Sequence, residues 1–101
     1  MFNLRDKHFR DNYLYRFYQF GEGHRNIPAN LTRALARKLD MINAAENLND
    51  LRSPPANHLE LLEPKENKYY SIRVNKQYRL IFKFENGELS DLYLDPHRYQ
   101  L

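Results

Sequence analysis

Over residues 68–95 the chain alternates apolar and polar side chains through three runs, KYYSIRV, YRLIFKF and ELSDLYLD, with only NKQ and ENG between them. Connections that short join antiparallel strands, so two consecutive β-hairpins form the platform on which everything upstream must pack. In the first run Tyr70, Ile72 and Val74 share one face while Tyr69, Ser71 and Arg73 share the other. In the second, Tyr78, Leu80, Phe82 and Phe84 make the apolar face, opposite Arg79, Ile81 and Lys83.

A slip of one residue would turn the apolar set out to water, so register follows from the loops. A three-residue loop at 75–77 pairs Val74 with Tyr78 and sets Arg73 directly opposite Arg79. Taking 85–87 as a second three-residue loop puts Gly87 at the left-handed position and pairs Phe84 with Glu88. That register sends Leu92 and Leu94 to the core and sets Tyr93 beside Arg79. The expected result is a row of Arg73, Arg79 and Tyr93 across three strands on the non-core face. Like charges directly opposed are unfavourable. Either the two guanidinium forks are kept for an anionic ligand such as a phosphate, or the face is solvated with Asp91 or Asp95 as counter-ion.

Upstream, residues 1–5 are expected as a short edge strand. Phe9, Tyr13, Phe17 and Phe20 recur at helical spacing and predict a helix over 6–20 whose aromatic stripe is core, closed by Gly21 and Gly23. Pro28 opens a second helix over 28–45 with Leu31, Leu35, Leu39 and Ile42 as its apolar stripe. Arg33, Arg37 and Asp40 fall on its other side and Lys38 near the border, a basic face open either to phosphates or simply to water. RSPP ends the helical part, since a residue before proline is pushed out of helical geometry. A short strand is expected over 57–62, with His58, Glu60 and Leu62 on one side. The resulting expectation is an α+β protein, two N-terminal helices packed on an antiparallel sheet of three to five strands, as one domain over 1–101.

The totals exclude more than they assign. A chain of 101 residues has room for one core. A formal charge of +3 favours anionic partners only mildly, and no basic tail concentrates it. The absence of cysteine excludes a disulfide framework and thiolate metal sites. No apolar run reaches signal-peptide or membrane-span length, so a soluble, cytoplasmic protein is expected. His8, His24, His58 and His97 have no metal-ligand spacing, and there is no glycine-rich phosphate loop or serine nucleophile motif. No metal or cofactor is therefore expected. What remains is metal-free acid–base work on a phosphodiester, which needs Arg or Lys to stabilise charge and His, Glu or Tyr to move protons. Asp95, Pro96, His97, Arg98 and Tyr99, at the exit of the last strand, supply such groups.

The run LRSPPANHLELLEPKENKYYSIRVNKQYRLIFKFENGELSDLYLDPH resembles the HigB toxins of the RelE/ParE toxin superfamily, most specifically in NLNDLRSPPANHLE and SIRVNKQYRLIF. With LARKLDMINAA upstream the resemblance covers about 28–98. It implies a RelE-like α+β toxin that cleaves mRNA on the translating 70S ribosome and is neutralised by a helix-turn-helix, HigA-like antitoxin, with operator DNA reached only through that antitoxin. It also implies a catalytic set of Arg73, Arg79, His97 and Tyr93, Arg79 being the stronger candidate for the scissile phosphate. Arg33, Arg37, Lys38, Lys76, His58 and Arg98 would contact RNA or the ribosome. Where members of the family end Asp-Tyr-His, this chain has Asp95-Pro96-His97, so Tyr93 or Tyr99 would stand in for the missing tyrosine. Two rival readings share the fold: a ParE-like toxin that blocks a protein target such as gyrase, and a toxin-like domain without activity.

Overall fold

The computed structural model describes residues 1–96. Its helices are α1 (Asn12–Phe20) and α2 (Thr32–Ala44), and its strands β1 (Glu60–Leu61), β2 (Tyr69–Arg73), β3 (Tyr78–Glu85) and β4 (Glu88–Pro96), joined by short 3-10 turns. The strands form one antiparallel sheet in the order β1-β2-β3-β4. This is the α+β arrangement expected of the sequence, with two helices followed by a four-stranded sheet.

The second helix follows its stripe closely. Leu31, Leu35, Leu39 and Ile42 are fully buried, against Ile72, Leu80, Phe82 and Leu92 from the apolar face of the sheet. Each such side chain contributes roughly 1.5–3 kcal/mol through the area it removes from water. The N-terminal expectations need correction. Asp6–His8 is a single 3-10 turn, and the chain then runs extended so that Phe9 bridges Leu92 in parallel and the Arg10 N–H donates to the Leu92 carbonyl at 2.8 Å. Pairing with β4 replaces the first turns of the helix, a tertiary contact overriding a local period. α1 therefore starts at Asn12, Leu14 becomes its most buried residue, and Phe20 is 60% exposed. Residues 1–5 form no strand. Leu4 is buried with its N–H on the Asn43 carboxamide at 2.8 Å, which ties the segment to α2 instead.

The first hairpin has the expected register, with Ile72 opposite Leu80 and Arg73 opposite Arg79. Its loop is held by the Asn75 side chain, which accepts from the Gln77 and Tyr78 N–H groups at 2.8 Å each. The second hairpin differs. Glu85 pairs with Glu88 across a two-residue turn, Asn86-Gly87, in which both residues have positive φ (54° and 78°), the conformation that Asn-Gly favours in tight hairpins. Continued unchanged, this register would turn Asp91 into the core. A bulge between Ile81 and Lys83 absorbs one residue, and Asp91 takes a φ of 55° there. Leu92 and Leu94 return to the core face as expected, but Tyr93 lands opposite Ile81 and Asp95 opposite Arg79. The row on the outer face is thus Arg73, Arg79 and Asp95.

Lys38 also departs from expectation. Only 6% exposed, it sends its ammonium to the Asn57 side-chain oxygen, and burial pulls its pKa below the ordinary lysine range. Asn57 is completely buried and donates in turn to the Leu51 carbonyl at 3.2 Å. This pair fastens the proline-containing segment to α2, three residues before Glu60 enters β1. Lys38→Met should cost about 1–3 kcal/mol, the penalty for leaving one buried acceptor without a partner. Asn57→Ala should cost more, because it strands an ammonium as well as a carbonyl. Thermal melts of the two variants check the order, and the reverse order would contradict this reading of the pair.

Candidate functional site

Arg79 sits at the centre of the outer sheet face. It is 9% exposed, an unusual depth for a guanidinium, and its Nη1 donates to the Ser71 hydroxyl at 3.0 Å. Ser71 is fully buried on β2. Nη2 lies 3.7 Å from a Glu60 carboxylate oxygen that is itself largely open to water. The sheet explains this geometry: Glu60 is the β1 partner of Ser71, and Ser71 is the diagonal neighbour of Arg79 across β2 and β3. A pocket of about 330 Å³ opens over the guanidinium, lined by Glu60, Leu62, Glu63, Ser71, Ile81 and Asp95 as well as Arg79 itself. Half-buried Arg73 is directly opposite on the neighbouring strand.

The unfavourable Arg73–Arg79 opposition therefore has nearby carboxylates to offset it. Glu60 does so most directly, and Asp95 faces Arg79 from β4. Asp91, the other candidate counter-ion, is engaged elsewhere. Its carboxylate receives both Nε and Nη2 of Arg10, at 2.8 and 2.7 Å, together with the Tyr69 hydroxyl. The Arg10 fork holds Asp91 below the usual carboxylate range, and the Tyr69 hydroxyl is pushed up because it donates to that carboxylate. The Arg10 guanidinium lies 3.6 Å from the centre of the Tyr93 ring.

The expected site residues are thus only partly brought together. Arg73 and Arg79 meet as the alternation required. Tyr93 does not join them: it stands opposite Ile81 and beneath Arg10, because the two-residue turn and the bulge together shift β4 by two residues from the expected pairing. His97 and Arg98 lie outside the described residues, immediately beyond Pro96, which pairs with Tyr78 next to the Arg79–Asp95 pair. His58 is exposed at a left-handed position closing the 3-10 turn Pro55–Asn57, and Lys76 is exposed in the first hairpin loop. Arg33 and Arg37 are exposed on α2, across the sheet from the pocket, and Lys38 is removed from any surface role by its burial. Ser71 and Glu60 as partners of Arg79 were missed. Their alternation was readable, but the β1–β2 register was not, because the connection between those strands is too long to fix it.

Two helices on one face of an antiparallel sheet, with arginines on the other, is the arrangement that the resemblance to RelE-type toxins implied. The family described as RelE-like toxin of type II toxin–antitoxin system HigB matches residues 7–97. The chain is 48% identical over 91 residues to Toxin HigB-1 of Vibrio cholerae, covering 90% of this chain and 96% of that one. It is also 75% identical over 101 residues, the full length of both chains, to a Haemophilus influenzae protein described as uncharacterized. The protein belongs to the HigB-like family of RelE-type toxins from type II toxin–antitoxin systems. The match reaches back to residue 7, so it takes in the Phe9–Arg10 segment and α1, which lie before the stretch of about 28–98 that carried the resemblance in the sequence. Membership in a type II system implies a cognate antitoxin. Among the described residues no helix is long and apolar enough to cross a membrane.

Proposed function

We propose that the protein is a metal-independent endoribonuclease that cuts mRNA on the translating 70S ribosome in the cytoplasm, and that a helix-turn-helix, HigA-like antitoxin neutralises it. Operator DNA would be reached only through that antitoxin. The observation that carries this reading is the sunken Arg79, oriented by Ser71 and Glu60 at the floor of a pocket that also contains Asp95. A target-blocking toxin needs no such pocket. A phosphodiester seated over Arg79 meets a fixed fork of donors, with Arg73 beside it to share the charge that builds up on phosphorus.

The chemistry is an in-line displacement within the RNA. The 2′-oxygen attacks the adjacent phosphorus and loses its proton, the bond from phosphorus to the 5′-oxygen breaks, and that oxygen takes up a proton. The products are a 2′,3′-cyclic phosphate and a 5′-hydroxyl. His97, two residues past Asp95, carries one of these protons, with Glu60 and Asp95 as carboxylates lining the same pocket as the guanidinium. Those carboxylates, with Glu63, also weaken the pocket as a bare phosphate binder. That weakness suits a substrate delivered by a large RNA machine rather than captured from solution. Arg33, Arg37, Lys76, His58 and Arg98 serve as outlying contacts to RNA.

Primer extension on transcripts from cells in which the protein is induced tests the proposal. Cuts should fall inside translated reading frames and disappear from a transcript whose start codon has been removed. Growth arrest with every message intact would overturn it. Replacing Arg33 and Arg37 together by Ala should weaken co-sedimentation with ribosomes without moving the cut positions. It should also lower the slope of log affinity against log salt by about one unit per residue. Unchanged co-sedimentation at low salt would make that helix face merely solvated.

A further inference from the structure

Beside the Arg79 pocket lies a second hollow of about 240 Å³ that the cleavage chemistry does not use, lined by Arg10, Tyr69, Tyr93, Pro64, Glu63 and Asn67 among others. Arg10 forms its most unusual wall. Asp91 takes Nε and Nη2, so the charge of the group is offset and one edge of its fork is already used. The same two bonds fix the orientation of its plane. One face lies on the Tyr93 ring at 3.6 Å, yet 43% of the side chain is exposed. A flat, oriented guanidinium with its charge offset, stacked on a tyrosine, suits another flat ring better than it suits an anion.

We infer that this hollow is a nucleobase subsite, in which one unpaired base of the message next to the scissile phosphate stacks on the Arg10–Tyr93 platform. Bases splayed from single strands are held on aromatic rings and arginine planes, and stacking tolerates every base because each has a π-face. Glu63 and Asn67 in the wall add an edge preference. The carboxylate accepts from an amino group and the carboxamide both donates and accepts, so an amino-bearing base is favoured over uracil. The two hollows share Leu62, Glu63 and Ile81, so a phosphate over Arg79 and a base over Arg10 belong to one short stretch of RNA. The β4 bulge creates the arrangement, since it turns Asp91 out toward Arg10 and sets Tyr93 opposite Ile81 on the same outer face.

The inference rests on the proposed action on RNA, and the experiment separates the two. Each variant is titrated by NMR at several salt concentrations with a short single-stranded oligonucleotide of 2′-deoxy sugars, which lacks the attacking hydroxyl. Tyr93→Ala should weaken binding roughly ten-fold with an unchanged salt slope, since stacking involves no counterion release. Tyr93→Phe should bind like the wild type. Tyr93→Leu, which keeps apolar bulk and protects the fold, should be as weak as Tyr93→Ala. An abasic residue in the oligonucleotide should erase the difference between wild type and Tyr93→Leu. If Tyr93→Leu binds as tightly as wild type while Arg79→Ala is weakened with a shallower salt slope, the subsite is overturned and the phosphate pocket stands. If neither variant is weakened, the subsite is overturned, and cleavage on the ribosome is decided separately by the primer-extension experiment.

Discussion

Arg79→Ala should abolish growth inhibition and slow single-turnover cleavage of ribosome-bound mRNA by about 10²–10³-fold, the range for removing one preorganised donor from a developing negative charge. The fold should survive. Arg79 lies on the face away from the helices and outside the apolar cluster of Leu35, Leu39, Ile72 and Phe82. Its loss leaves the buried Ser71 hydroxyl without one partner, a penalty of about 1–3 kcal/mol, partly offset by relief of the opposition to Arg73. Arg79→Lys keeps the charge but cannot reach Ser71 and a phosphate with the same planar fork, so it should recover only part of the rate. Circular dichroism and a thermal melt establish that the variants are folded. A folded Arg79→Ala protein that is still fully toxic would remove this residue from the mechanism.

His97→Ala should slow the same single-turnover reaction by about 10²–10⁴-fold, the usual contribution of a positioned acid or base, with ribosome binding nearly unchanged. An imidazole with the ordinary pKa near 6.5 can give or take a proton around neutral pH, so the variant should also lose the wild-type dependence of rate on pH in that range. The assignment rests on sequence position: two residues after Asp95, the β4 partner of Arg79. A rate within a few-fold of wild type would exclude His97 as the essential proton carrier. The role would then pass to Asp95 and Glu60, which already line the pocket.

Tight hairpins and long apolar stripes were legible in the sequence because one local rule governed each of them. Alternation and a three-residue loop were enough to oppose Arg73 and Arg79, and the Leu31, Leu35, Leu39, Ile42 stripe was enough for α2. Features that depended on a distant partner were not legible. Phe9 keeps helical spacing with Tyr13 and Phe17, yet it pairs with Leu92, more than eighty residues away. Lys38 looked like a border residue because nothing local revealed that Asn57 would arrive to receive its ammonium.

The bulge is the most consequential case for the site. Reading 85–87 as a three-residue loop and β4 as regular put Leu92 and Leu94 correctly in the core, but it set Tyr93 against Arg79. The chain reaches the same core by a two-residue Asn-Gly turn followed by a compensating extra residue at Asp91. The two routes give identical faces for the leucines and differ by two residues in pairing, one from the shorter turn and one from the bulge. Hydrophobic pattern constrains faces and leaves pairing along the strand free, and the identity of a neighbour in a site depends on pairing.

Ribosome-dependent cleavage is decided by mapping the ends of a defined message incubated with purified protein, with and without purified ribosomes. Cuts should appear only when ribosomes are present, each leaving a 2′,3′-cyclic phosphate upstream and a 5′-hydroxyl downstream, and none with Arg79→Ala. A message left intact by folded, toxic protein on actively translating ribosomes would contradict this mechanism, as would cut ends carrying a 3′-hydroxyl and a 5′-phosphate.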